Sequence, residues 1–442
     1  MTILIKNGTI VTMNNKREII QGDLLIKEDR ISQVGSLSNC EAEEVIDARD
    51  KLVIPGLVQS HLHLCQALFR GLADDLELMD WLKLRIWPLE AAHDEESLYY
   101  SALLGCAELL RGGTTSIIDM ATVHHTDAVF EAVKSTGIRY LGGKCMMDHG
   151  SDVPAGLKDS TDSSLAESLS LLERWNNKEE GRIRYAFCPR FAVSCSDHLL
   201  REVQKMSELY QVPVHTHASE NRAEVELVAK ERGLPNILYL GSLGLCNEKL
   251  ILAHCIHLDN TEMKLLADTQ ANIVHCPASN LKLASGLAKI PTLLDMGARA
   301  SLGADGAPCN NNLSMFVEMR LAALIHKPFY GSTAMPAEKV FEMATLEGAK
   351  AMGLEGQIGS LEPGKKADVV IVSLDNWHNR PLGGASVYSH LVYQSQAGDV
   401  YATIVDGRVL MRNSELFSID TEELRQKSEA SLTRVQNRCG LR

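Results

Sequence analysis

Over the first fifty residues apolar side chains come in short alternating runs broken by turn residues. Ile3-Leu4-Ile5 leads into Asn7-Gly8, and further runs follow at 9–13, 22–26, 30–35 and 44–48. The period is two and no helical period accompanies it, which predicts a small sheet that cannot bury both faces by itself. From about residue 52 the pattern changes to apolar strands alternating with amphipathic stretches such as 97–110 and 220–232. Eight strands are predicted: one from Val53 to the His61-Leu62-His63 triplet, then 115–120, 138–143, 183–188, 212–217, 250–254, 271–275 and 298–305. Eight strand–helix units favour an α/β protein built on a (β/α)8 TIM barrel over an open doubly wound sheet. After residue 355 the strand pattern returns at 367–372 and 399–410, the second containing an Asp406-Gly407 hairpin turn, and a polar helix follows at 421–437.

The expected organisation is a discontinuous small β-sandwich formed by 1–52 and 356–415, a barrel over 53–355, and a C-terminal helix within 416–442. A barrel of this kind does its chemistry at the carboxyl ends of its strands. The stretch between the first two barrel strands, 75–95, is long enough to roof that end.

Charge narrows the partners. Lysine and arginine number 44 against 57 acidic residues, a net charge of −13, so a phosphate backbone or an anionic membrane is not the expected partner. A small-molecule substrate is, and the sequence leaves the oligomeric state open, a homo-oligomer included. The 11 cysteines show no C-x-x-C pairing and several flank apolar strands, which reads as buried free thiols in a reducing compartment. With a polar N-terminus and no apolar run near the ~18 residues of a membrane span, a cytoplasmic protein is expected.

Candidate chemistry sits on the strand ends. On a strand His61 and His63 face the same way, with Leu62 opposite. His217 ends the fifth strand, His254 the sixth, His275 the seventh and Asp305 the eighth. Imidazoles with one carboxylate suit Zn²⁺ or Fe²⁺ rather than Ca²⁺ or Mg²⁺, and a catalytic site keeps one position open for water. Glu220, three residues past His217, is placed as a general acid/base between the water and the substrate.

These strings carry a resemblance. The H-x-H of strand one, His217-Ala218-Ser219-Glu220, Ala253-His254-Cys255, His275-Cys276-Pro277-Ala278-Ser279-Asn280, Gly303-Ala304-Asp305-Gly306-Ala307 and the turn Gly359-Ser360-Leu361-Glu362-Pro363-Gly364 resemble the amidohydrolase superfamily, in its mononuclear-metal deaminase and chlorohydrolase branch. The resemblance implies one divalent metal, Zn²⁺ first and Fe²⁺ second, held by His61, His63, His217 and Asp305. It also implies that Glu220 protonates a ring nitrogen while His254 and Asp305 orient and deprotonate the attacking water. Binuclear branches place a carboxylated lysine on strand four, where this chain has Cys188-Pro189-Arg190.

Substrate signals point two ways. Gln66 and Arg190 resemble guanine-deaminase-like members that read a purine edge. Glu90, in Trp87-Pro88-Leu89-Glu90, and the run from Gly306 to Asn312 resemble deaminases of adenine nucleosides, in which a glutamate there holds ribose hydroxyls. His275 is the fourth candidate substrate contact. The expected function is hydrolytic deamination of an aminopurine, an adenine nucleoside such as 5′-deoxyadenosine, with release of ammonia. The alternatives are a guanine-type or s-triazine hydrolase and, in a different class, a metal-free barrel serving as a binding scaffold. His93-Asp94-Glu95 matches the H-x-E of the cytidine-deaminase zinc fold, but no Pro-Cys-x-x-Cys follows.

Overall fold

The computed structural model describes residues 1–37, 40–150 and 152–441; the last position of the expected C-terminal segment, 442, lies outside the described residues. Its centre is a closed barrel of parallel strands. Leu57–His63, Thr114–Met120, Arg139–Gly143 and Ile183–Tyr185 pair in that order. Val214–Ala218, Leu250–His254, Asn272–His275 and Arg299–Leu302 form the second half. The halves join where Phe187 bridges Val214 in parallel and where Asp305–Gly306, continuing strand eight, pairs with the end of strand one.

The period of two sorts each strand between two cores. Val58, Ile118, Leu141, Ile251 and Val274 point inward and pack together in the barrel. Leu57, Ile117, Tyr140, Leu252 and Ile273 point outward under the helices. Strand one, the strand predicted from Val53 to His63, is in fact two. Lys51–Pro55 belongs to the outer sheet, where it pairs antiparallel with Val369–Ser373, and the barrel strand starts at Leu57. The expected boundary at 52/53 therefore moves to Gly56, whose α-carbon passes so close to Thr115 that an added Cβ would lie 2.0 Å from its Oγ1.

The chain's two ends build one nine-stranded sheet, ordered Glu415–Leu416, Arg408–Arg412, Val400–Val405, Val369–Ser373, Lys51–Pro55, Thr2–Val11, Ile19–Lys27 and Arg30–Gly35, with Glu44–Asp47 beside Thr2–Val11. Ile3, Ile5, Ile26, Val53, Val369, Ile371 and Ile404 are its separate core. Short helical turns at Trp377–Asn379, Val387–Ser389 and His390–Gln394 interrupt it, and no periodicity in the sequence announces them. The helix Thr421–Cys439 lies against Glu95–Arg111, with Lys427 and Arg434 paired to Glu96 at 3.3 and 3.0 Å.

Arg139, at the start of barrel strand three, fastens the sheet to the barrel. Buried, it donates to both carboxylate oxygens of Asp368 at 2.8 and 2.9 Å and also pairs with Asp406. Removing one member of a buried pair leaves uncompensated charge. Arg139→Met is expected to cost about 3 kcal/mol of unfolding free energy, read as a lowered denaturant midpoint at unchanged slope.

All 11 cysteines are free. Among the described residues no helix is long and apolar enough to cross a membrane.

Candidate active site

Two backbone irregularities aim the strand-end residues. In strand one the pairing with strand two shifts between Gln59 and Leu62. Such a bulge changes the phase of the alternation, so that Leu62 faces the outer core while His61 and His63 face into the barrel. On strand six, strict alternation from inward Ile251 would turn His254 outward. Its left-handed backbone, φ 74° followed by φ 50° at Cys255, accompanies its turn to the rim. Asp305 is also left-handed, at φ 63°. Non-glycine residues in this region are strained and cluster at functional sites. Gly303 lets strand eight press on strand one, since a Cβ there would meet His61 backbone atoms at 2.8 Å.

The side chains converge. Asp305 Oδ1 lies 3.2 Å from His61 Nε2 and 3.4 Å from His63 Nε2, and the Nε2 atoms of His63 and His217 are 3.2 Å apart. Ligand atoms at 2.0–2.1 Å from a tetrahedral ion sit about 3.3 Å from one another. Each ring's far nitrogen is fixed. The Nδ1–H of His63 donates to the carbonyl of Met120 at 2.9 Å, and that of His217 to the carbonyl of Arg190 at 2.7 Å, which leaves both Nε2 lone pairs free. His61 Nδ1 meets His215 Nε2 at 2.8 Å. Burial lowers the proton affinity of all four rings, His63 to about 4, so they are neutral at pH 7 and able to act as ligands.

His254 faces the same point. Its Nδ1–H donates to Asn280 Oδ1 at 2.8 Å, and its Nε2 lies 3.5 Å from Glu220 and 3.8 Å from Asp305 Oδ2. His61, His217, His254 and Asp305 offer ligand atoms all within 4.8 Å of one another, so His254 enters the cation-binding group beside the expected set. Among the described residues, the buried Nε2 of His254 and Oε1 of Glu220 have no hydrogen-bond partner. Imidazole lone pairs converging on a carboxylate with such orphaned atoms fit a divalent cation and a water.

Two buried carboxyl groups are driven in opposite directions. Burial, reinforced by Asp305 and Glu224, pushes Glu220 well above the ordinary range. Burial acts the same way on Asp305, but the His61 bond and the surrounding imidazoles outweigh it and hold Asp305 well below. Glu224 anchors the turn beneath Glu220, accepting the backbone N–H groups of Ser219, Glu220 and Asn221 at 3.1, 2.7 and 3.3 Å. Ser279 Oγ donates to Asp305 Oδ2 at 2.7 Å.

The expected substrate contacts divide. Glu90 accepts from Gln66 Nε2 at 2.7 Å and from Arg190 at 2.7 and 3.3 Å, so Gln66, Glu90 and Arg190 form one buried network. His275 stands apart from it. Next to inward Val274 and without a left-handed turn, it faces out of the barrel, with Nε2 at 3.3 Å from His326 Nε2, and the structure does not bring it together with the other three.

Leu78, Trp81 and Leu82, from the helical segment over 78–86, close the cavity above His63, Arg190, Phe191, His217, Glu220, His254 and Asp305. The cavity's volume is about 20 Å³, room for a water molecule.

Sequence reasoning missed His215, Ser279, Asn280 and Glu224. His215 was within reach, because His215-Thr216-His217 repeats the H-x-H of strand one. Among the described residues one other group, His124, Asp159 and Glu167, brings ligand atoms together, and the buried Lys144 ammonium already lies against its carboxylates at 3.1 and 2.7 Å.

Known proteins are similar to this chain along nearly its whole length. The chain is 39% identical over 420 residues to a 5′-deoxyadenosine deaminase of Methanothermobacter thermautotrophicus, covering 93% of this chain and 94% of the relative. It is 38% identical to a 5-methylthioadenosine/S-adenosylhomocysteine deaminase of Moorella thermoacetica, covering 96% and 97%. The crystal structure of an adenosine deaminase from Xanthomonas campestris with bound zinc superposes with a TM-score of 0.92 at 31% identity, covering 98% of both chains. Residues 52–410 match the profile of the amidohydrolase family, and with these relatives along nearly the whole chain the protein belongs to that family.

Proposed function

We propose that the protein is a metal-dependent hydrolytic deaminase of aminopurines that acts on an adenine nucleoside such as 5′-deoxyadenosine and releases ammonia. The observation that carries this reading is the meeting of Glu220 and Asp305 about His254, 3.5 and 3.8 Å from its Nε2, beside converging imidazoles in one cavity. The names of the nearly full-length relatives supply the substrate class.

His61, His63, His217 and Asp305 are the residues that would hold the ion, Zn²⁺ in the first place, with His254 on its open side. When bound, a divalent cation supplies Lewis-acid polarisation and lowers the pKa of water toward neutrality. The rest falls to the chain's own groups. Asp305 Oδ2 and His254 Nε2 flank the water position and take its proton as its oxygen bonds to the amine-bearing ring carbon. Glu220 gives its proton to the adjacent ring nitrogen. The proton held by Asp305 and His254 passes to the amine, whose C–N bond breaks to release ammonia, and the added oxygen becomes a ring carbonyl as its own proton returns to Glu220. Phe191, Trp81 and Leu82 shut bulk water out over the ring. Glu90 holds sugar hydroxyls, while Gln66 and Arg190 set its orientation.

One observation favours a second reading. Glu90 is already engaged by Arg190 and Gln66, which makes the three a ready-made polar edge for a base instead of a sugar. That suits a guanine-type substrate.

A substrate panel scored for ammonia release separates the readings. Adenine nucleosides are expected to exceed guanine and s-triazines at least tenfold in kcat/KM. Turnover of guanine with none of the nucleosides establishes the second reading. A purified protein with less than about a tenth of a metal per chain, unrestored by Zn²⁺ or Fe²⁺, supports a binding scaffold in place of an enzyme.

A further inference from the structure

Behind the cavity, a single buried acid ties together the loops that carry its working groups. Glu318, on the helix Met315–Ile325, is fully buried and, among the described residues, has no cation paired with it. Its Oε2 accepts the backbone N–H of Ala278 at 3.2 Å and its Oε1 accepts the amide of Asn310 at 2.8 Å. The same Asn310 nitrogen also donates to the carbonyl of Ala304 at 2.8 Å. Ala278 immediately precedes Ser279, which donates to Asp305, and Asn280, which orients His254. Ala304 immediately precedes Asp305.

A buried carboxyl group without a cation is destabilising, and an apolar side chain of its size would fill the space without that cost. Packing therefore does not explain an acid at this position, whereas two acceptor oxygens aimed at two loops do.

We infer that Glu318 is a positioning residue whose carboxyl group joins the loops after barrel strands seven and eight and thereby fixes how Asp305 and His254 meet the cavity. This rests on the roles given to those two residues above. Partners beyond the ligand shell tune a metal site strongly, by about 10–100-fold in affinity or activity.

The test is Glu318→Gln, which keeps the size but sets an amide donor against one of the two N–H groups. Relative to wild type, kcat is expected to fall at least tenfold with KM within about twofold, and Zn²⁺ affinity, titrated against a chelating dye without substrate, to fall about tenfold. Combined with Ser279→Ala, the loss in kcat should be smaller than the product of the separate losses, because both changes act on Asp305. Should E318Q not fold, Asn310→Ala cuts the same link from its other end and is read in the same way. Unchanged kcat and Zn²⁺ affinity, or losses that simply multiply, overturn the inference. Wild type inert toward every purine, with E318Q still loosening Zn²⁺, removes the deaminase reading and leaves Glu318 in place. Active wild type with an indifferent E318Q does the reverse.

Discussion

Glu220→Gln is expected to retain its full complement of metal and to lose roughly 10³-fold in kcat, within the range for removal of a general acid. The amide matches the carboxyl group in size but has no acidic proton to give the ring nitrogen. Its backbone is held independently of its side chain, since the Glu220 N–H goes to Glu224 at 2.7 Å, so the turn survives the change. Its Oε1 has no partner among the described residues, and neither the expected ligand set nor the His61, His217, His254 and Asp305 group includes it. Metal content and turnover should therefore separate. A factor of 10³ corresponds to about 4 kcal/mol of barrier, far above what a surface helix acid contributes. Steady-state kinetics beside elemental analysis of the same preparation decide it, and a variant turning over within a few-fold of wild type takes the proton-donor role from Glu220.

The barrel was legible because burial on both sides of a parallel strand leaves a strong apolar run, and eight such runs alternate with amphipathic stretches. The outer sheet was legible at both ends of the chain for a similar reason. What periodicity does not carry is phase. His254 and His275 look equivalent on paper, each closing an apolar strand, yet one enters the cavity and the other does not. The difference lies in the left-handed backbone at His254 and Cys255, which no residue type there announces. Pro55-Gly56 interrupts the apolar run of strand one, but that the chain changes sheets there depends on pairing with Val369–Ser373, more than 300 residues later. Glu90 and Arg190 looked like signals for competing substrates because sequence separation hides their contact. Ser279 and Asn280 were quoted in the resemblance but carried no role, since their function is to hold two other side chains.

The largest single loss is expected from Asp305→Ala: more than 10⁴-fold in activity together with at least 100-fold in Zn²⁺ affinity. Most residues of the site have one task, so their removal exposes one kind of loss. Asp305 has two, because Oδ1 lies against His61 and His63 whereas Oδ2 lies toward Ser279 and His254. Truncation also leaves the buried imidazoles without the carboxylate they surround. The two losses can be told apart by supplying saturating Zn²⁺: affinity recovers occupancy, and the deficit that persists at full occupancy is the share due to proton abstraction. Adding His254→Ala to Asp305→Ala should then cost little more, since groups that move one proton fail as a unit. If saturating Zn²⁺ restored wild-type turnover to the alanine variant, Asp305 would be a ligand and nothing else, and abstraction of the proton would pass to His254 alone.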